Sequence, residues 1–111
     1  MTTTIRNENK IMNYMIDRLM EAGWKLHALD DGEELIKTSN KEIALEYAND
    51  LDEVHFIFKK EGHTCSAFLI FGNGNYGLDV IADHSDDKWG FSNIMDDVQN
   101  WIENSQETTL P

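Results

Sequence analysis

The chain has 111 residues and a net charge of −12, and 41% of its residues are apolar. Because this apolar content is too high for a disordered chain, we expect one folded domain over residues 1–111, with a polar tail at 104–111. The one cysteine, Cys65, excludes an intramolecular disulfide and a cysteine-rich zinc site. The negative field repels a phosphate backbone, so it excludes direct binding of nucleic acid and favours basic partners.

Two helices and a hairpin are predicted before residue 50. Apolar residues recur at helical spacing between Asn7, the predicted N-cap, and Gly23, the predicted stop. Asp31-Gly32 is a type I′ turn signal between two short apolar segments, which predicts a hairpin. Ser39 and Glu42 have the spacing of a capping box and open the second helix.

The next segment alternates apolar and polar residues and predicts an antiparallel meander over residues 54–83. Two-residue turns at Glu61-Gly62 and Asn73-Gly74 fix the register of its strands. The opposed pairs in this register are Phe58 with Cys65, Phe56 with Ala67, Ala67 with Val80, and Leu69 with Leu78. All of them fall on one face of the sheet, whereas a slip of one residue would scatter them.

A third helix is predicted near the end of the sequence. Ile94, Val98 and Ile102 lie at helical spacing, and Ser92 is the predicted cap. The predicted element order is therefore α-β-β-α-β-β-β-α. Because a sheet with one apolar face needs a covering layer, we predict an α+β fold in which the helices pack on the apolar face of an antiparallel sheet.

The N-terminal sequence and the apolar runs bear on location. The first residues lack the basic start and apolar stretch of a secretion signal. No apolar run approaches the roughly 20 residues that a helix needs to cross a bilayer. A chain with one cysteine is also typical of a reducing compartment. We therefore expect a cytoplasmic protein without a membrane partner.

Acidic side chains are concentrated in the second half of the chain. Residues 1–60 carry eight basic and twelve acidic side chains, whereas residues 61–111 carry one basic and nine acidic side chains. The predicted partner-binding residues are the aspartates of this half and two aromatic neighbours: Asp79, Asp83, Asp86, Asp87, Asp96, Asp97, Trp89 and Phe91. We expect them to dock on a basic protein surface. An acidity that serves only solubility is the alternative.

Motifs for cofactors and metals fail on spacing or context. Residues 72–77 match the glycine spacing of a dinucleotide loop, but the residues that follow alternate like a strand and open no helix. A calcium loop that starts at Asp83 needs glycine at its sixth position and glutamate at its twelfth, where the chain has Lys88 and Ile94. We therefore predict no cofactor, no metal site and no catalytic residue.

Two pairs of segments carry a family resemblance. They are Ala44-Leu45-Glu46-Tyr47-Ala48 with Asp52-Glu53-Val54-His55-Phe56, and Leu69-Ile70-Phe71-Gly72-Asn73 followed by Asp79-Val80-Ile81-Ala82-Asp83. Over residues 42–85 the chain resembles small uncharacterised proteins encoded by phages and prophages. The resemblance implies a mobile-element origin and a place in the host cytoplasm, but no activity and no site residues. Small accessory proteins of that origin often disable host defences by binding them.

Three functions are consistent with these features. The first is a non-enzymatic binding protein that docks a basic surface of a host partner. If that partner handles nucleic acid, as a CRISPR or restriction complex does, the aspartates would imitate phosphates and the protein would act as an inhibitor. The alternatives are a structural, self-associating phage accessory module and a divalent-metal-dependent enzyme that uses the tract from Asp79 to Asp97. We predict the first function and leave the oligomeric state open.

Overall fold

The computed structural model describes residues 3–86 and 89–104. The elements in chain order are α1 (Thr3–Glu21), β1 (Lys25–Asp30), β2 (Leu35–Lys37), α2 (Lys41–Ala48), β3 (Glu53–Lys60), β4 (His63–Ile70), β5 (Ile81–His84) and α3 (Phe91–Glu103), with a short 3-10 helix at Asn75–Gly77 between β4 and β5. The predicted α+β class and the predicted order of helices and strands are confirmed. Of the predicted tail, residues 105–111 lie outside the described residues.

The five strands form one antiparallel sheet in the order β2-β1-β3-β4-β5. All three helices contribute to a single apolar core on one face of this sheet, as predicted. The largest fully buried side chains include Trp24, Phe56, Phe58 and Phe91. The predicted register of β3 on β4 is confirmed, since Phe58 lies opposite Cys65 and Phe56 lies opposite Ala67.

The helix caps differ from the predicted ones by a few residues. The N-cap of α2 is Asn40 instead of Ser39, and its side chain accepts a hydrogen bond from the Ile43 N–H at 3.1 Å. Helix α3 begins at Phe91, before the predicted cap Ser92, because Phe91 is already buried in the core. Asn7 is no cap, since α1 begins a turn earlier and buries the Asn7 side chain completely. The helices themselves were predicted correctly from their apolar spacing.

The predicted register of β5 on β4 is wrong. Ala67 lies opposite His84 rather than Val80, and Leu69 lies opposite Ile81 rather than Leu78, with a bulge after Phe68. The two-residue turn at Asn73-Gly74 is therefore also wrong. Residues 71–80 form a longer connection that contains the 3-10 helix and displaces β5 along the chain.

Contacts with α1 account for this longer connection. The Asn7 side chain donates a hydrogen bond to the Tyr76 carbonyl at 2.8 Å. The Gly72 N–H donates to the Glu8 carboxylate at 2.6 Å. Both polar side chains are buried, and burial of a polar group is costly unless it is hydrogen-bonded. The connection is thus held on α1 by bonds that a tight hairpin could not make.

Candidate functional site

The antiparallel register brings several acidic segments to one end of the sheet. Asp30 is the last residue of β1, and it lies opposite His55, close to the start of β3 at Glu53. The turn between β1 and β2 and the connection from α2 to β3 therefore meet at this end. Both segments are rich in carboxylates. Because the segments meet, carboxylates that are distant in sequence become neighbours in space.

A depression of about 540 Å³ lies where these segments meet. The residues that line it are Asp31, Glu33, Asp50, Leu51, Asp52 and Glu53, and we call this surface the acidic end. All of them except Leu51 are carboxylic acids. The side chains of Glu33, Asp50, Asp52 and Glu53 are exposed and make no hydrogen bond or ion pair with another described residue. The acidic end thus presents a concentration of uncompensated negative charge.

Two ion pairs lie elsewhere, on the helices. Arg18 on α1 is 3.4 Å from Asp97 on α3, and Lys41 on α2 is 2.8 Å from Asp17 on α1. Both ion pairs join α1 to another helix. Neither of them neutralises a carboxylate of the acidic end.

Lysines collect at the opposite end of the sheet. Lys25 begins β1 and lies opposite Lys59 near the end of β3. Lys60 follows, and its ammonium group donates to the Ala22 carbonyl at 2.8 Å. The sheet therefore carries negative charge at one end and positive charge at the other. A basic partner is attracted to the acidic end and repelled by the lysines, so this separation of charge would orient a basic partner as it approaches.

One carboxylate of the acidic end has a structural role. Asp31 accepts hydrogen bonds from the N–H groups of Glu33 and Glu34 at 2.8 and 2.7 Å, and from the Tyr47 hydroxyl at 2.7 Å. The Glu34 N–H is the main cause that holds the pKa of Asp31 below its usual value, and the Tyr47 hydroxyl adds to it. The bond to ionised Asp31 raises the pKa of Tyr47 to about 12. This pair joins the β1–β2 turn to α2.

We expect Tyr47→Phe to remove a phenol that ionises at about pH 12 in the parent protein. Because the pKa of Tyr47 is raised on folding, its contribution to stability is complete below the usual tyrosine value and is lost as the pH rises through the folded value. The contribution of Asp31 has the opposite sense and is lost as the pH falls through its lowered pKa. An alkaline titration followed by phenolate absorbance measures the missing group.

The matched control for this titration is Tyr76→Phe, which removes an exposed phenol that does not donate to Asp31. The component at about pH 12 should remain in this variant. If Tyr47→Phe instead removes a component near the usual tyrosine value of about 10, the hydrogen bond to Asp31 does not persist in solution.

The structure divides the aspartates of the predicted tract between two layers. Asp83 in β5 lies opposite Phe68, on the sheet face away from the helices. Asp96 and Asp97 are exposed on α3, which packs on the other face. Asp79 is exposed in the connection before β5, and Asp86 is exposed after it. Asp87 lies outside the described residues. The described aspartates of the tract therefore do not all lie on one face of the molecule.

The two aromatic residues predicted beside this tract have different environments. The Trp89 side chain is 51% exposed, and its ring stacks on His63 with ring centroids 3.7 Å apart. Phe91 is completely buried and contacts Trp24 edge to face, with centroids 5.1 Å apart. The prediction of Phe91 as a docking residue is therefore wrong, because its side chain is completely buried in the core.

The sheet face opposite the core carries a second feature. His55 and Phe68 stack across β3 and β4 with ring centroids 4.3 Å apart. Asp30 and Asp83 occupy the same row on the two flanking strands. Within residues 3–86 and 89–104, no three His, Cys, Asp or Glu side chains converge as a metal site. This row can bind cationic or aromatic groups through the exposed rings and carboxylates.

A further depression of about 410 Å³ lies next to the acidic end, between α1 and the connection after β4. It shares Leu51 and Asp52 with the acidic end, and Glu8 forms part of its wall. Glu8 is not among the site residues predicted from the sequence. Its signal is positional, because Asn7 and Glu8 precede the buried Ile11 and Met12 by one helical turn and so extend the apolar stripe with polar side chains.

Comparisons with known proteins give no relative for this chain. No protein-family model, no curated protein and no solved structure matches it. The resemblance to phage-encoded proteins over residues 42–85 therefore stays a prediction. Of the helices in the described part of the chain, none has the length and the apolar content that crossing a membrane requires. The features that bear on function are the acidic end, the depression beside it and the row of rings on the sheet.

Proposed function

We propose that this protein is a non-enzymatic binding protein that docks a basic surface of a partner protein through its acidic end. The observation that carries the proposal is the convergence of five carboxylates around one depression with no cation among the residues that line it. Like charges at close range repel one another and raise the free energy of the folded state. Lysine and arginine side chains of a partner would relieve that repulsion.

The distribution of charge favours docking over simple solubility. A solubility surface needs only net charge, which can be spread over the whole molecule. Here three lysines of the sheet, Lys25, Lys59 and Lys60, lie at the end away from the carboxylates, although basic and acidic residues are mixed along the first sixty positions. Such a separation produces a directed field, and a directed field speeds and orients the approach of a charged partner.

The resemblance to phage-encoded proteins supports a particular class of partner. Complexes that handle nucleic acid, such as CRISPR or restriction complexes, have basic grooves that receive phosphates. Carboxylates of the acidic end would occupy such a groove in place of phosphates. On this proposal the protein is an inhibitor of host defence, and it acts in the host cytoplasm by binding alone.

The test compares two variants of equal net charge. In the first, Glu33→Gln, Asp50→Asn, Asp52→Asn and Glu53→Gln neutralise the acidic end. In the second, Asp83, Asp86, Asp96 and Asp97 are all changed to Asn, which neutralises the dispersed tract. Binding to a poly-lysine peptide of defined length is measured over a salt series. Since an exposed ion pair contributes about 0.2–1 kcal/mol, the first variant should lose from several-fold to a hundredfold in affinity.

The second variant is the matched control and should lose clearly less affinity than the first. Binding by the parent should also weaken as the salt concentration rises, because exposed charges are screened. Equal losses in the two variants would show that net charge alone drives binding, and the docking proposal would be wrong. A larger loss in the second variant would place the docking residues in the tract from Asp79 to Asp97 instead.

A further inference from the structure

We infer that the depression between α1 and the connection after β4 binds the side chain of a lysine, with its ammonium group on Glu8. The inference rests on the proposed function, because the lysine would belong to the basic partner that docks on the acidic end. It names one anchor within that interface. Three features support this site: the burial of Glu8, the chemistry of the walls and the position of the depression.

Glu8 is a buried carboxylate with one oxygen engaged. Its side chain is only 6% exposed, and Oε2 accepts the Gly72 N–H at 2.6 Å. Its other oxygen accepts no hydrogen bond from a described residue and keeps contact with solvent at the depression that Glu8 lines. Removal of a carboxylate from water is costly unless a cation or several donors compensate it. An ammonium group in the depression would supply that compensation.

The walls of the depression suit an alkyl chain that ends in a positive charge. Ile5, Leu51 and Phe71 offer apolar surface that can contact the methylene groups of a lysine. Asp52, Asn9 and Asn49 add a second carboxylate and amide oxygens as acceptors. A volume of about 410 Å³ is ample for one side chain. The combination of apolar walls with a carboxylate at the end is the complement of lysine.

The geometry of Glu8 favours lysine over arginine. A guanidinium group binds best when both oxygens of a carboxylate are free to accept two parallel hydrogen bonds. In Glu8 one of these oxygens already accepts the Gly72 N–H. An ammonium group is a compact charge that needs a single free oxygen and can turn its other donors toward Asp52 or the amides. We therefore expect a preference for lysine at this position.

The depression is placed where a docked partner would reach it. It shares Leu51 and Asp52 with the acidic end, so the two surfaces are continuous. Long-range attraction by the acidic end would bring a basic surface near, and insertion of one lysine would then fix its position. The exposed carboxylates govern the approach, whereas Glu8 governs the retention of the partner.

The experiment uses the isolated protein and three small probes, which are the Nα-acetyl N-methylamides of lysine, arginine and norleucine. Chemical shifts of the Gly72 amide and its neighbours are followed during titration. The lysine amide should bind saturably, with a dissociation constant on the order of millimolar, as suits so small a ligand. The arginine amide should bind at least several-fold more weakly, and norleucine amide, which lacks the charge, should give no saturable shift.

Glu8→Gln is the decisive variant. It preserves the shape of the side chain and an oxygen that can accept the Gly72 N–H, and it should weaken the lysine amide by tenfold or more. Asp52→Asn changes an exposed side chain, so it tests the same depression without risk to the fold, and it should weaken binding by a few-fold. Glu61→Gln is the matched control, because it removes an exposed carboxylate in the turn after β3 and should leave binding unchanged.

The result can overturn this inference without touching the proposed function. If the lysine amide gives no saturable shift, if arginine binds equally well, or if both Glu8→Gln and Asp52→Asn bind like the parent, the lysine site is wrong. Docking of poly-lysine on the acidic end would still be tested separately by the two charge variants. Conversely, the lysine amide could bind saturably while the two charge variants lose equal affinity for poly-lysine. The depression would then be a site for small amines, and the acidic end would not be a docking surface.

Discussion

Replacement of Ala67 by Asp is expected to lower the free energy of unfolding by about 3 kcal/mol or more, enough to unfold much of the protein. Ala67 lies at the centre of β4, is fully buried and faces the core beside Phe56. An ionised carboxylate at this position would lose its hydration in the core between sheet and helices and would contact the apolar ring of Phe56. Thermal or urea denaturation followed by circular dichroism measures the loss.

Thr64→Asp is the matched control for this prediction. Thr64 lies in the same strand, is exposed and faces away from the core opposite Lys59. An aspartate there would keep its water and lie beside a lysine, so the variant should change stability by less than about 1 kcal/mol. An unchanged melting temperature in Ala67→Asp, together with a large loss in Thr64→Asp, would mean that β4 presents the opposite face to the core.

The register of β3 on β4 could be predicted because its determinants are local. A two-residue turn at Glu61-Gly62 joins two strands of the same apolar alternation, and one slip would bury charged residues such as Lys59. The register of β5 depends on contacts that are distant in sequence. Asn7 and Glu8 hold the connection before β5, and nothing near Asn73-Gly74 indicates that a turn signal gives way to those bonds.

The acidic end could not be predicted from the distribution of charge along the chain. Residues 1–60 hold eight basic and twelve acidic side chains, and a segment with that ratio reads as nearly balanced. In the antiparallel sheet, however, Lys25 and Lys59 pair at one end while Glu53 and Asp30 lie toward the other. Acidic and basic residues that are mixed along the sequence are separated in space, because the antiparallel strands bring each kind to a different end of the sheet. The aspartates of the predicted tract show the reverse, since Asp83 in β5 and Asp96 in α3 are close in sequence but belong to different layers.

Gly77→Ala is expected to lower the free energy of unfolding by about 2–4 kcal/mol. Gly77 has a φ of +82°, in the region that side chains rarely adopt. A Cβ atom at this position would lie 2.5 Å from the Thr4 carbonyl oxygen and 2.9 Å from Cγ of Glu8. The carbonyl belongs to α1 and cannot move without the helix, so the connection must leave its place. Denaturation curves of the parent and the variant give the difference.

Gly72→Ala separates the two causes of this loss. Gly72 lies in the same connection with a φ of +71°, but a Cβ atom there would meet nothing within 4 Å. Its variant should lose only the cost of the left-handed backbone, about 1–2 kcal/mol, and keep the N–H that Glu8 accepts. Because Gly77→Ala also displaces Glu8, its folded fraction should bind the lysine amide more weakly than Gly72→Ala does. Equal stability losses in the two variants would show that the contact between α1 and the connection does not contribute to stability. The depression and Glu8 would then not be held in the geometry that lysine binding requires.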